Sequence, residues 1–146
     1  MRITLIILLF SVFALSALGQ NDKYYDLKVV VKVLGNNTGV LQFSLYNKTG
    51  SIPDEDFEKY YKMGKANIKN NSAEYTFKGL KGGVYAINIL HDENKNGEID
   101  KGFIFPIEGI GFSNFKSIGF SNRPNFEKAS FLLNKNIEIE VKIIYM

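Results

Sequence analysis

Between positions 91 and 100 the chain reads His-Asp-Glu-Asn-Lys-Asn-Gly-Glu-Ile-Asp. Asp92, Asn94 and Asn96 place side-chain oxygens at alternate positions. Gly97 permits a sharp bend, Glu98 offers a backbone carbonyl, and Asp100 closes the run with a further carboxylate. A turning backbone with this spacing wraps oxygens around a hard cation such as calcium. Ile99 stands where helix-loop-helix calcium loops carry an apolar residue, but Phe103 stands where they carry a bidentate Glu. Another carboxylate must then come from elsewhere, and Glu108 is the nearest good candidate. With two Asn in place of Asp the expected affinity is weak, ~10⁻⁴ to 10⁻³ M as in extracellular modules. The alternative is a metal-free turn, because Asp and Asn cap their own backbone and Asn-Gly is a turn dipeptide.

His91 is the single histidine and there is no cysteine, so no convincing zinc or copper set exists. Imidazole as a side-chain type is suited to act as a base, and His91 could do so with Glu108 or Asp92. A strand-end His bonded to a loop carbonyl is the plainer reading. No serine lies in a nucleophile motif, and Gly109-Ile110-Gly111 lacks the partners of a phosphate loop. Three functional readings follow. The first is a non-enzymatic protein with a calcium-stabilised loop and a binding or cell-envelope structural role. The second is a binding module for a small polar ligand or carbohydrate, its pocket formed by His91, Glu108, Ser113, Asn114 and Arg123. The third is an enzyme using His91 with a carboxylate.

The elements around this loop are strands. Asp26 to Leu34 alternates, with Leu27, Val29, Val31 and Val33 on one face. Gly35 to Gly39 has turn residues, and Val40 to Tyr46 alternates again, so the two runs read as an antiparallel hairpin. Pro53-Asp54-Glu55-Asp56 carries the signals of a short helix start. Residues 64–71 read as a weak strand or a loop, and 73–78 alternate. Val84 to Leu90 is apolar on both faces, as in a central strand, and delivers His91 and Asp92 to the loop. Residues 101–126 are irregular and rich in Phe and Gly, a segment expected to pack down on the scaffold. Glu127 to Leu133 suits a strand or a short helix, and Ile137 to Tyr145 alternates as one strand. The pattern predicts an all-β fold, an antiparallel β-sandwich of about seven strands, immunoglobulin-like or prealbumin-like.

Arg2 followed by the apolar run Ile3 to Leu18, with small residues at Ala17 and Gly19, reads as a signal peptide (residues 1–19) cleaved after Gly19. The alternative is a membrane anchor, for which the run is short, roughly 20 apolar residues being usual. Residues 20–146 then form a single exported domain, with no transmembrane anchor and no lipidated cysteine. The address is periplasm, outer surface or medium. Losing Arg2 and no acid takes the net charge from +3 to +2, and the lysines are scattered, unlike the clustered basic face of a nucleic-acid binder. Without disulfides the fold rests on its core, for which the chain has eight Tyr and twelve Phe, two of the latter (Phe10 and Phe13) in the leader.

The stretch from Gly82 to Asn114, followed by Arg123-Pro124, Phe126 and Ala129, resembles a secreted bacterial family known as domain of unknown function 2141. The resemblance rests on Gly83 and Tyr85, the loop from His91 to Asp100, Pro106 with Glu108-Gly109, Gly111 to Asn114, and Pro124 with Phe126 and Ala129. Phe105 departs from the small residue more usual before that proline. The resemblance implies export in bacteria with an outer membrane and implies no activity. The front half also looks like the prealbumin-like repeats of bacterial surface adhesins, which implies a calcium loop; the partner is left open, with a carbohydrate or another envelope protein as the candidates.

Overall fold

Apolar side chains at every second position decide which face each strand buries, and two sheets stack on those faces. The computed structural model describes residues 22–103 and 106–146; the leader expected over residues 1–19 lies outside them. Among the described residues there are eight strands: β1 (Tyr24–Val31), β2 (Val40–Tyr46), β3 (Lys62–Asn67), β4 (Ala73–Lys81), β5 (Gly83–Asp92), β6 (Ile110–Phe112), β7 (Phe131–Leu133) and β8 (Ile137–Glu140). One short helix, α1 (Phe126–Ala129), precedes β7. The three-stranded sheet has the order β4-β1-β8. The larger sheet runs β3-β2-β5-β6, with β7 also on β5. The result is the expected all-β sandwich. No helix among the described residues is long and apolar enough to cross a membrane.

Leu27, Val29 and Val31 of β1 face Leu41, Phe43 and Leu45 of β2 and Tyr85, Ile87 and Ile89 of β5 across the main core. A second core lies on the outer face of the larger sheet. There Tyr46, Ala86 and Leu90 are covered by Phe112, Phe115, Phe126 and Ala129. Within the Phe- and Gly-rich segment Phe112, Phe115 and Phe126 pack down as expected, whereas Phe103 and Phe120 are exposed. β5 is the central strand, buried from Tyr85 to Asp92, although Val84 is exposed.

Several expectations are corrected. β1 and β2 do not form a hairpin, because they lie in different sheets. Val33 adopts a positive φ of 58° and is 91% exposed, which ends β1 and turns the chain across to the other sheet. No helix forms at Pro53–Asp56. The buried Asp54 carboxylate instead accepts the Glu58 and Lys59 N–H groups and the Tyr46 hydroxyl, closing a tight turn in which Phe57 has positive φ. Residues 137–145 are not one strand. β8 pairs with β1, and in parallel, a departure from the all-antiparallel expectation. The chain then crosses to the larger sheet, where Ile144 exchanges two hydrogen bonds with Ile110. A Cβ on Gly111 would lie 2.6 Å from the Lys142 carbonyl oxygen, so the glycine is what lets the crossing strand come so close.

The opposite side of the sandwich is closed by Tyr75, which stacks on Phe43 at 5.8 Å and meets the edge of Phe77 at 4.9 Å. Its ring lies over Gly64 of β3, where a Cβ would come within 2.0 Å of it. Gly64→Ala should therefore destabilise the protein by about 1–3 kcal/mol in urea unfolding, the range for overpacking a filled site. Gly119→Ala, whose Cβ would meet nothing within 4 Å, should leave the midpoint unchanged; equal effects of the two would contradict this packing.

Candidate functional site

Alternation along β5 sends His91 to the main core and Asp92 to the opposite face. The His91 ring is fully buried. Its Nε2 lies 2.8 Å from the Thr38 carbonyl oxygen, which can only accept, so Nε2 carries the proton. Nδ1 then accepts from the Tyr145 hydroxyl at 2.7 Å, and that hydroxyl accepts from the Gly35 N–H at 3.1 Å. Burial raises the Tyr145 phenol above its ordinary value of 10.0; the Gly35 N–H works against this and the Glu93 charge adds to it. Both ring nitrogens are engaged, so His91 stands as the strand-end histidine bonded to a loop carbonyl.

Asp92 is buried and Gly97, at φ +80°, brings its N–H to Asp92 Oδ2 at 2.9 Å. Two further Asx-turns shape the loop, Asn94 Oδ1 accepting the Asn96 N–H and Asn96 Oδ1 the Glu98 N–H. The Asn94 and Asn96 amides both donate to Asp100, at 2.6 and 3.0 Å. The structure thus brings Asp92, Asn94, Asn96 and Asp100 into one ring, with Glu98 contributing backbone. Lys65 of β3, which nothing in the sequence marked, places its ammonium 3.5 Å from Asp92 Oδ2. Asp92 Oδ1 is buried with no hydrogen-bond partner.

Glu108 has a different task from the one expected. It is buried, and its two oxygens accept the N–H groups of Glu93 (2.8 Å) and Asp100 (3.3 Å), clasping both ends of the loop. Ser113 sits between β6 and β7, where its hydroxyl accepts the Ile87 N–H and donates to the Ala129 carbonyl. Asn114, at positive φ, donates to the Ser130 carbonyl. Arg123 is exposed, with its guanidinium 5.9 Å from the centre of the Phe120 ring. The polar groups of His91, Glu108, Ser113 and Asn114 are turned onto neighbouring backbone or Tyr145 rather than converging with Arg123 on one cavity. Among the described residues no group of three His, Cys, Asp or Glu side chains could hold a metal ion; any cation here would depend on amide and backbone oxygens as well.

These features define an all-β sandwich protein with one Asp/Asn loop clasped to the end of its central strand. The chain belongs to a bacterial family described as uncharacterized proteins conserved in bacteria, domain of unknown function 2141, whose family model matches residues 29–140. The match takes in the loop, its Glu108 clasp and every strand from β2 to β8. No curated protein and no solved structure matches the chain.

Glu108→Gln keeps the shape of the clasp but turns one acceptor into a donor facing an N–H group. It should lower stability by about 1–3 kcal/mol and speed hydrogen exchange at the Glu93 and Asp100 amides. Unchanged exchange there would remove the clasp. The raised Tyr145 phenol has a sign of its own. Its contribution is complete below the ordinary value of 10.0 and is lost as pH rises through the higher folded value. Tyr145→Phe should accordingly flatten the loss of stability in strongly alkaline buffer.

Proposed function

We propose that the protein is an exported, non-enzymatic β-sandwich whose loop holds a calcium ion, in the service of a binding or structural role in the bacterial envelope. The observation that carries the metal is Asp92 Oδ1, a buried carboxylate oxygen without a partner. An ionised oxygen left in that state is costly, and a cation is a natural partner for it. The surrounding donors are oxygens, the hard ligands that suit calcium. Asp92, Asn94, Asn96, Asp100 and the Glu98 carbonyl would supply them. The Asn94 and Asn96 side-chain oxygens each accept one backbone N–H and keep a second lone pair that would face the ion. With Phe103 exposed and Glu108 held by backbone N–H groups, two carboxylates remain, consistent with weak binding. Export is supported by the composition of residues 1–19, a short basic start followed by an apolar run and small residues.

Thermal unfolding of the purified protein in EDTA and then in millimolar calcium tests the metal. At ten times the dissociation constant the folded state should gain about 1.4 kcal/mol. Asp92→Ala should abolish that gain. Lys65→Met should enlarge it, because the ammonium competes with the cation for Oδ2. An unmoved midpoint, with Asp92→Ala equally destabilised in both buffers, would make the loop a metal-free turn. N-terminal sequencing of the protein recovered outside the cytoplasm tests export, with Gln20 as the expected first residue.

A further inference from the structure

The outer face of the larger sheet holds a second site, apart from the loop's own oxygens. A cavity of about 450 Å³ opens between β5, β6, the turn at Pro53–Glu55 and the segment 118–124. Its walls are largely apolar, including Ile99, Ile110, Phe112 and Ile118. Asn88 of β5 lines it from the sheet side and is buried. The Asn88 side-chain oxygen has no hydrogen-bond partner, while the hydroxyl of Ser44, its direct neighbour on β2, lies against the Tyr46 phenol. Buried polar atoms in native proteins are nearly always satisfied, so an orphan acceptor at the inner wall of a cavity points to a donor that enters from outside. The nearby Tyr46 hydroxyl does not supply one, since it is already bound to Asp54 at 3.0 Å.

The outer end carries charge. Lys101 and Arg123 both line the cavity and are exposed. Lys101 is paired with Glu55 at 2.6 Å. Arg123 has no carboxylate within ion-pair distance among the described residues, and its guanidinium packs near the Phe120 ring. One cation is thus left over beside an exposed aromatic ring at the mouth. We infer that this cavity binds a small amphipathic acid, with an apolar body against the Ile and Phe walls, a hydroxyl donating to Asn88, and a carboxylate at Arg123. The volume falls in the range of small-molecule pockets, and few but specific polar groups in an apolar lining are their usual composition. The inference stands on groups that the calcium reading does not use.

Calorimetric titration of the purified protein with 4-hydroxycinnamate, in EDTA and again in millimolar calcium, tests it. Cinnamate, lacking the hydroxyl, and the methyl ester, lacking the charge, are run beside it. Saturable binding of the hydroxy acid is expected, with each analogue weaker by about tenfold, the worth of one polar contact left unmade. Arg123→Gln, an exposed substitution that leaves the core intact, should weaken the acid by about tenfold and bring it level with the ester. Asn88→Ala, checked by thermal unfolding, should make cinnamate and its hydroxy form bind alike. Absence of saturable binding by all three probes in both buffers would overturn the site, as would equal affinity in the native protein and Arg123→Gln.

Discussion

A fully buried imidazole at the end of a central strand must find a partner for each ring nitrogen, and the rest of this molecule is arranged around that requirement. The partners come from segments remote in sequence: the Thr38 carbonyl from the crossing between the sheets, and the Tyr145 hydroxyl from the crossing after β8. Both segments must therefore pass close to the end of β5. Gly39, at φ +77°, meets the backbone of Asp92, where a Cβ would lie 2.0 Å from the Asp92 carbonyl oxygen. Gly109 gives way to the Tyr145 and Ile143 side chains in the same manner. One polar ring thus ties together three stretches of chain that hydrophobic burial alone would let slide.

The next residue, on the opposite face, inherits that rigidity. Asp92 starts the loop from a backbone that cannot shift, and Glu108 holds the far end to the same strand through two N–H groups. The outer face of the larger sheet also carries an unusual burden of polar groups. Gln42, Ser44, Asn88 and Asp92 each have a buried atom without a partner. They share one face of β2 and β5, with Leu90 between Asn88 and Asp92 and with Gly97 of the loop beside Gln42 and Asp92. Ile99 belongs to both neighbourhoods, within the loop and in the cavity wall. The loop is therefore a wall of the cavity as well as a closed ring.

Local patterns were legible where one strand's own side chains decide the outcome. The period of two placed Leu27, Val29 and Val31 correctly, and the doubly apolar run placed β5 at the centre of its sheet. The loop boundaries and the plain role of His91 were also readable. Pairing was not. The Gly35–Gly39 turn looked like a hairpin because its residues accept positive φ, but the unusual backbone at Val33 sends the chain to the other sheet. Carboxylates after Pro53 resembled a helix start, yet burial of Asp54 turned one of them into the centre of a turn. Glu108 stands out by its type and position, but the Glu93 and Asp100 N–H groups that it accepts are not legible, since backbone donors leave no trace in a sequence. Lys65 and Tyr145 become visible only in three dimensions. Asn88, a polar residue within an apolar run, was a signal that could have been followed.

The parallel pairing of β8 with β1 has a consequence for how the chain acquires its fold. The Asp26–Asn136 and Gly35–Tyr145 hydrogen bonds each span 110 positions. Contacts of such high order close late, because the entropy of a long loop must be overcome before they form. Until β8 docks, β1 has β4 on one side and an open edge on the other, a template for mispairing with another chain. The smaller sheet is completed only when β8 has joined β1.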